Sequence, residues 1–271
     1  MHNMGELTNS IIAKANQLTT LADEIIAAAN ELDGQSPPPP PPPETPIGVD
    51  CLSDSPTAPA FLSGEQDMNL YNTKCSQFDA AFPSQPSGTI LYIGDSITQY
   101  MTVPANSFNA GISGDTFRGV LNRINRGGPS NLIHRAGAVV LLIGINDLVF
   151  ETGQYGEQQA IADVNYMHDL LFPHMVGKWV IVKPLPINTT IYTNPNGRNS
   201  AIDAVGNYVQ AKYAGKTGVA IVDAKSALAP SGQLDPAYTP AGDGVHLNAA
   251  GYAVLQPLIQ TALQSIGVTW G

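Results

Sequence analysis

Four short runs of unbroken apolar residues stand out along the chain: Thr89–Ile93, Gly137–Ile143 (GAVVLLI), Trp179–Val182 and Val219–Val222. Runs of this length without polar alternation are what strands look like when both faces of a sheet are covered. Between and after them lie stretches whose apolar positions recur every three or four residues, at about Thr116–Asn125, Glu157–Leu171, Ser200–Ala214 and Ala249–Ile266. That spacing predicts amphipathic helices. Strand and helix in alternation predict an α/β architecture, a parallel sheet with helices on both faces. In such sheets the loops at the carboxyl ends of the strands build the site.

Ahead of this region the pattern changes twice. Leu7, Ile11, Lys14, Leu18, Leu21, Ile25, Ala28 and Leu32 step by alternating fours and threes, a heptad seam with one polar interruption at Lys14. Ile12, Ala15, Ile26 and Ala29 widen the stripe beyond the narrow seam of a dimer. Such a helix either self-associates, with a homo-trimer as the expected state, or folds back on the main domain, and Gly34 is its stop. Ser36 is followed by seven prolines, Pro37 to Pro43. They hold a polyproline II rod of about 3.1 Å per residue, read as a stiff spacer or as a ligand for a proline-binding domain. The expected organisation is an oligomerisation helix over 1–34, a proline-rich linker over 35–50 and the α/β domain over 51–271.

Composition narrows the partners. Of 271 residues 43% are apolar and 13% charged, so a sizeable core can form under a largely neutral surface. A formal charge of -10, with no clustered Lys or Arg, excludes a phosphate-binding stripe for nucleic acid and disfavours anionic membranes. No apolar run approaches the roughly eighteen residues of a spanning helix. The first ten residues, MHNMGELTNS, have neither a basic nor an apolar signal segment, so no secretory signal is expected. Cys51 and Cys75 form one disulfide or stay as two thiols, and two isolated cysteines do not make a metal site.

The chemistry centres on YIGDSITQY, residues 92–100. Gly-Asp-Ser is ordinary turn chemistry, but Ser96 follows a predicted strand, where a nucleophile would sit. A serine hydroxyl needs a base, and the base works best when a carboxylate fixes its tautomer. GDGVHLNAAGY supplies Asp243 and His246, three residues apart, just before the last predicted helix, with Asn248 as that helix's cap. Oxyanion donors are offered by Gly111 in NAGISGDT and by Asn146 at the end of LIGIND. His168, Asp169 and His174 read as a solvated helix end, and His134-Arg135 as a cationic helix terminus. Asp95 and Asp115 read as carboxylates that organise loops through backbone N–H groups.

The four blocks GDSIT, NAGISGDT, GIND and DGVH, in this order, resemble the SGNH (GDSL-type) hydrolases, a superfamily of esterases and lipases. The resemblance covers most of residues 88–266 and implies a flavodoxin-like three-layer sandwich with five parallel strands. It implies Ser96 as nucleophile, Asp243 and His246 as its partners, and Gly111, Asn146 and the Ser96 N–H as oxyanion donors. It also implies that no metal or organic cofactor is needed. GDSIT is not the G-x-S-x-G elbow of α/β-hydrolases, so that fold's strained turn is not expected.

Together these readings give a serine esterase acting on an acylated carbohydrate or small ester. NAGISGDT looks most like the branch that removes small acyl groups, often acetyl from sugars. The same residues would serve an acyltransferase, and a glycan-binding adhesin with an idle site is the non-enzymatic reading. A self-associating helix, a rod and a deacetylating head suit a phage tail fibre or tailspike, whereas a free-standing bacterial enzyme would use the helix as an adaptor. The seam predicts that the intact chain exceeds a monomer's mass in light scattering, and a monomer would refute self-association.

Overall fold

The computed structural model describes residues 68–125, 132–150, 157–172, 175, 177–192 and 199–271. The heptad seam, the proline rod and Cys51 lie outside the described residues, as does His174. The described chain begins with helix α1 (Met68–Ala81) and continues through β1 (Ile90–Gly94), the short helix α2 (Ser96–Gln99) and β2 (Ser107–Gly111). Helices α3 (Phe117–Asn125) and α4 (Leu132–Arg135) lead to β3 (Ala138–Leu142), followed by α5 (Ile145–Phe150) and α6 (Glu157–Leu171). The remainder is β4 (Trp179–Val182), α7 (Asn199–Tyr213), β5 (Val219–Val222), α8 (Lys225–Leu228) and α9 (Ala249–Ser265).

The strands form one parallel sheet in the order β2-β1-β3-β4-β5. Every residue of β1, β3 and β4 is buried, so helices and loops cover both faces of the sheet's centre. This is why those strands read as continuous apolar runs. Strand β2, SFNAG, carries three half-buried positions at the sheet's edge, and its mixed composition hides it from a hydrophobicity reading. Trp179, Tyr92, Tyr213 and Phe117 are the bulkiest fully buried side chains and anchor the core.

The chain order reverses between β1 and β3: β2 pairs on one side of β1 and β3 on the other. A crevice opens beyond the carboxyl ends of strands at such a switch point. Gly94, the last residue of β1, faces Gly111 of β2 and Leu142 of β3 in register. A Cβ on Gly94 would collide with the Leu142 carbonyl oxygen and the Thr98 hydroxyl. Because one collision partner is backbone, the sheet cannot yield as a flexible side chain would. Gly94→Ala is therefore expected to cost about 3 kcal/mol, the upper part of the usual range for overpacking, seen as a lowered urea midpoint.

Candidate active site

Ser96 is the first residue of α2 and follows β1 directly through Asp95. Asp95 caps α2: its Oδ1 accepts from Ile97 N–H at 2.9 Å. His246 precedes α9, whose cap Asn248 accepts from Gly251 N–H at 3.0 Å. Between them, Gly244 has φ +76°, a left-handed turn open to glycine, and its N–H donates to Thr239 Oγ1 at 3.0 Å. That turn brings the Asp243 and His246 side chains together.

His246 Nε2 lies 2.9 Å from Ser96 Oγ, and Nδ1 lies 2.8 Å from Asp243 Oδ2. The other carboxylate oxygen of Asp243 accepts from Val245 N–H at 2.8 Å and His246 N–H at 2.7 Å. Partial burial would raise the Asp243 carboxyl. The backbone and ring bonds from His246, the Val245 N–H and the His246 charge outweigh it and hold the group below the usual carboxylate range. An ionised Asp243 fixes the proton of a neutral His246 on Nδ1, leaving Nε2 free to accept from the serine hydroxyl. The structure thus brings Ser96, His246 and Asp243 into one hydrogen-bonded chain.

Asn146, near the start of α5, donates through Nδ2 to the Asp115 carbonyl at 2.7 Å, which leaves its second amide N–H. The Ser96 N–H has no intramolecular partner among the described residues. Gly111 differs from the sequence expectation: its N–H donates to Asn109 Oδ1 at 2.9 Å. A Cβ there would strike the Gln99 backbone, so this glycine lets β2 approach α2 closely. Gly114, three residues on, has φ +76° and an N–H without a partner among the described residues.

Arg123, absent from the sequence reading, is buried beneath these elements. Its guanidinium donates to the Ala110 carbonyl at 2.6 Å and the Gly94 carbonyl at 3.3 Å, and pairs with Asp115 Oδ2. The one available signal was a basic residue three positions from Val120 and one before Ile124, on the apolar side of α3. Asp115 does organise its loop, as expected, with Oδ1 accepting from Thr116 N–H at 2.9 Å. Asp147 caps α3 by accepting from Phe117 N–H at 3.0 and 3.2 Å.

His168 corrects the expectation of a solvated helix end. It is 2% exposed, packed against Phe117 and Tyr213, with Nδ1 3.1 Å from the Tyr213 hydroxyl. Burial drives its imidazole down to about 3, so it is neutral. Asp169 is the solvated member, paired with Lys212 and Tyr208. Beside His246 lies an open groove of about 680 Å³, bounded by Tyr100 and Thr102 on one side and Pro240, Tyr252 and Gln256 on the other.

With this geometry in view, comparison with known proteins decides the family. The sequence matches the GDSL-like lipase/acylhydrolase family over residues 92–254, more than half of the chain. The chain belongs to this family. That membership makes it an esterase. No curated protein matches the chain. A Bacteroides fragilis protein ascribed to the acylhydrolases shares the fold at TM-score 0.55 and 23% identity, over 70% of this chain and 95% of that one. A GDSL-like lipase from Bacteroides thetaiotaomicron gives 0.54 and 21%, over 70% and 97%. An acetylxylan esterase from Geobacillus stearothermophilus gives 0.46 and 19%, over 67% and 94%.

Asp95 is fully buried, its Oδ2 has no partner among the described residues, and Asp115 and Asp147 lie near. Burial, helped by those two charges and opposed by the Ile97 N–H, pushes its carboxyl up to about 8. The folded state therefore holds a proton that the unfolded chain releases near pH 4. This contribution to stability is full below about pH 4 and is lost as pH rises through 8. Asp95→Asn should flatten the decline in urea midpoint between pH 5 and pH 8; an unchanged slope would show that Asp95 is ionised in the fold.

Proposed function

We propose that the protein is a serine esterase that removes small acyl groups, acetyl foremost, from a carbohydrate through an acyl-enzyme. The observation that carries this reading is the Ser96–His246–Asp243 chain, with 2.9 Å and 2.8 Å between its reacting atoms. Ser96 Oγ attacks the ester carbonyl carbon as its proton passes to His246 Nε2. Asp243 steadies the imidazolium through Nδ1. The Ser96 N–H and the second amide N–H of Asn146 receive the oxyanion. For the remaining donor we assign Gly114 in place of Gly111, because the Gly111 N–H is engaged by Asn109. Collapse breaks the C–O bond, the leaving alcohol takes the proton from Nε2, and a water activated by the same nitrogen then frees the acid.

The small-acyl assignment rests on the likeness of NAGISGDT to that branch of the family. The carbohydrate assignment adds the polar and aromatic lining of the groove beside His246. We further infer that residues 1–34 assemble the chain and 35–50 space the head from the assembly, as in a phage tail fibre that deacetylates a surface polysaccharide. The heptad seam and the seven prolines support this.

Release of p-nitrophenol from p-nitrophenyl acetate tests the chemistry. Ser96→Ala should abolish it, and Asn146→Ala should lower kcat by a hundredfold or more with a smaller change in KM, as expected for an oxyanion donor. Full activity in Ser96→Ala would remove Ser96 as nucleophile.

A further inference from the structure

The reaction sets a direction at the site. The acyl carbonyl oxygen must face Asn146 and the Ser96 N–H, and the alcohol oxygen must reach His246 Nε2 to take its proton. Whatever is attached to that alcohol then extends past His246, away from Asn146. The 680 Å³ groove is lined by His246 itself, by Tyr100 and Thr102 just after the Ser96 helix, and by residues of the 240–256 segment, whereas Asn146 does not line it.

Its walls are pinned. Tyr100 caps α2 and donates its N–H to the Ser96 carbonyl at 3.0 Å. The Tyr252 hydroxyl donates to the Ile97 carbonyl at 2.7 Å, and Gln256 Nε2 donates to the Thr102 carbonyl at 2.6 Å. These bonds tie α9 to the segment after the nucleophile, so the groove's width is fixed before a ligand arrives. The Tyr100 ring stands edge-on to His246, with centroids 5.7 Å apart, yet the residue is 55% exposed. Tyr100 thus keeps an aromatic face open to solvent within a few ångströms of His246.

Charge narrows the occupant. Among the described residues no Lys or Arg lines the groove, and the one acid there, Asp243, is occupied by His246 and the turn N–H groups. An anionic alcohol such as a phosphate-bearing headgroup would find no counter-charge. Gln256 Oε1 and Thr102 Oγ1 have no intramolecular partner among the described residues, so an acceptor and a hydroxyl remain for a ligand.

We propose that this groove is the leaving-group subsite, and that Tyr100 takes one C–H-lined face of a neutral pyranose while Gln256 and Thr102 meet its hydroxyls. Phenol rings supply such contact area at little cost in conformational entropy, with a polar tip left in water. The inference rests on the carbohydrate reading above and makes Tyr100 a specificity residue for it.

The test compares xylose tetraacetate with vinyl acetate, which carries the same acyl group on an alcohol too small to reach the groove. In Tyr100→Ala the ratio of kcat/KM for the sugar ester over vinyl acetate should fall at least fivefold, mainly through KM. Tyr100→Trp should restore most of it. An unchanged ratio in Tyr100→Ala would overturn the subsite while leaving the esterase and its carbohydrate substrate standing. A native enzyme that cleaves vinyl acetate but no sugar acetate would defeat the carbohydrate reading and the subsite with it. Inactivity of the native enzyme on both esters would instead fall on the serine-esterase chemistry itself.

Discussion

A guanidinium sealed from water joins the pieces of this site. Arg123 reaches from α3 to the Gly94 carbonyl that ends β1, to the Ala110 carbonyl of β2 and to the Asp115 carboxylate, and both side chains of that ion pair are at most 2% exposed. Burial disfavours the charge on Arg123, and the Asp115 carboxylate more than restores it. Desolvating two ions costs several kcal/mol each, and such a pair is viable only when its remaining polar atoms are also bonded. The two carbonyls meet part of that need, taking one bond from each terminal nitrogen of the guanidinium. In return, β1 delivers Ser96 and β2 delivers the 112–116 loop at a fixed separation. The Asp115 carbonyl, held by the same loop, is what Asn146 binds. Truncating Arg123 would leave Asp115 buried without a counter-ion, a loss typically of about 3–5 kcal/mol.

The same pair bears on the chemistry. Asp115 and Asp147 both act on the buried Asp95, the neighbour of Ser96, where an oxyanion is proposed to form. Negative charge there would oppose the reaction. Arg123 compensates Asp115, the N-terminus of α3 offsets Asp147, and Asp95 is kept neutral by its burial. Net negative charge is thus placed on Asp243, on the side of the imidazole away from Ser96. Asp95 beside Ser96 and Asp243 behind His246 are thus pushed in opposite directions by their surroundings, the first by burial and the second by its hydrogen bonds.

The central strands were legible because burial on both faces leaves an unbroken apolar run, and their bounds moved by at most one residue at the amino-terminal end and one at the carboxyl-terminal end. Edge strand β2 was not, since half-exposed positions admit Ser107 and Asn109. Helix α1 was also missed: MNLYNTKCSQFDAA carries no clear apolar stripe. Ser96 and Asn146 were legible as polar residues just past strand ends, and Asp243 with His246 as a pair just before the last helix. Which glycine N–H is unoccupied was not, because the engagement of Gly111 depends on the Asn109 side chain folding back on its own strand. His168 was misread for a related reason: periodicity places it near a helix end, but only the packing of α3 and α7 covers it with Phe117 and Tyr213. Arg123 is the extreme case, a residue whose importance lies entirely in partners remote in sequence.

The site is also assembled without backbone strain. Among the described residues no non-glycine has positive φ, and Asp95 and Ser96 form an ordinary cap and first helical turn. A strained elbow places its serine by forcing the backbone; here Ser96 is placed by Gly94 and Gly111, whose missing Cβ atoms let β1, β2 and β3 close up against α2. Positioning is then fixed by bonds that cross the chain: Tyr252 to Ile97, Asn109 to the Thr98 and Met101 carbonyls, and His246 to Ser96. A four-residue helix has little macrodipole or cooperativity of its own. Its stability and its aim must come from these neighbours, so the geometry of Ser96 belongs to the packed switch point of the sheet and not to the GDSIT segment itself.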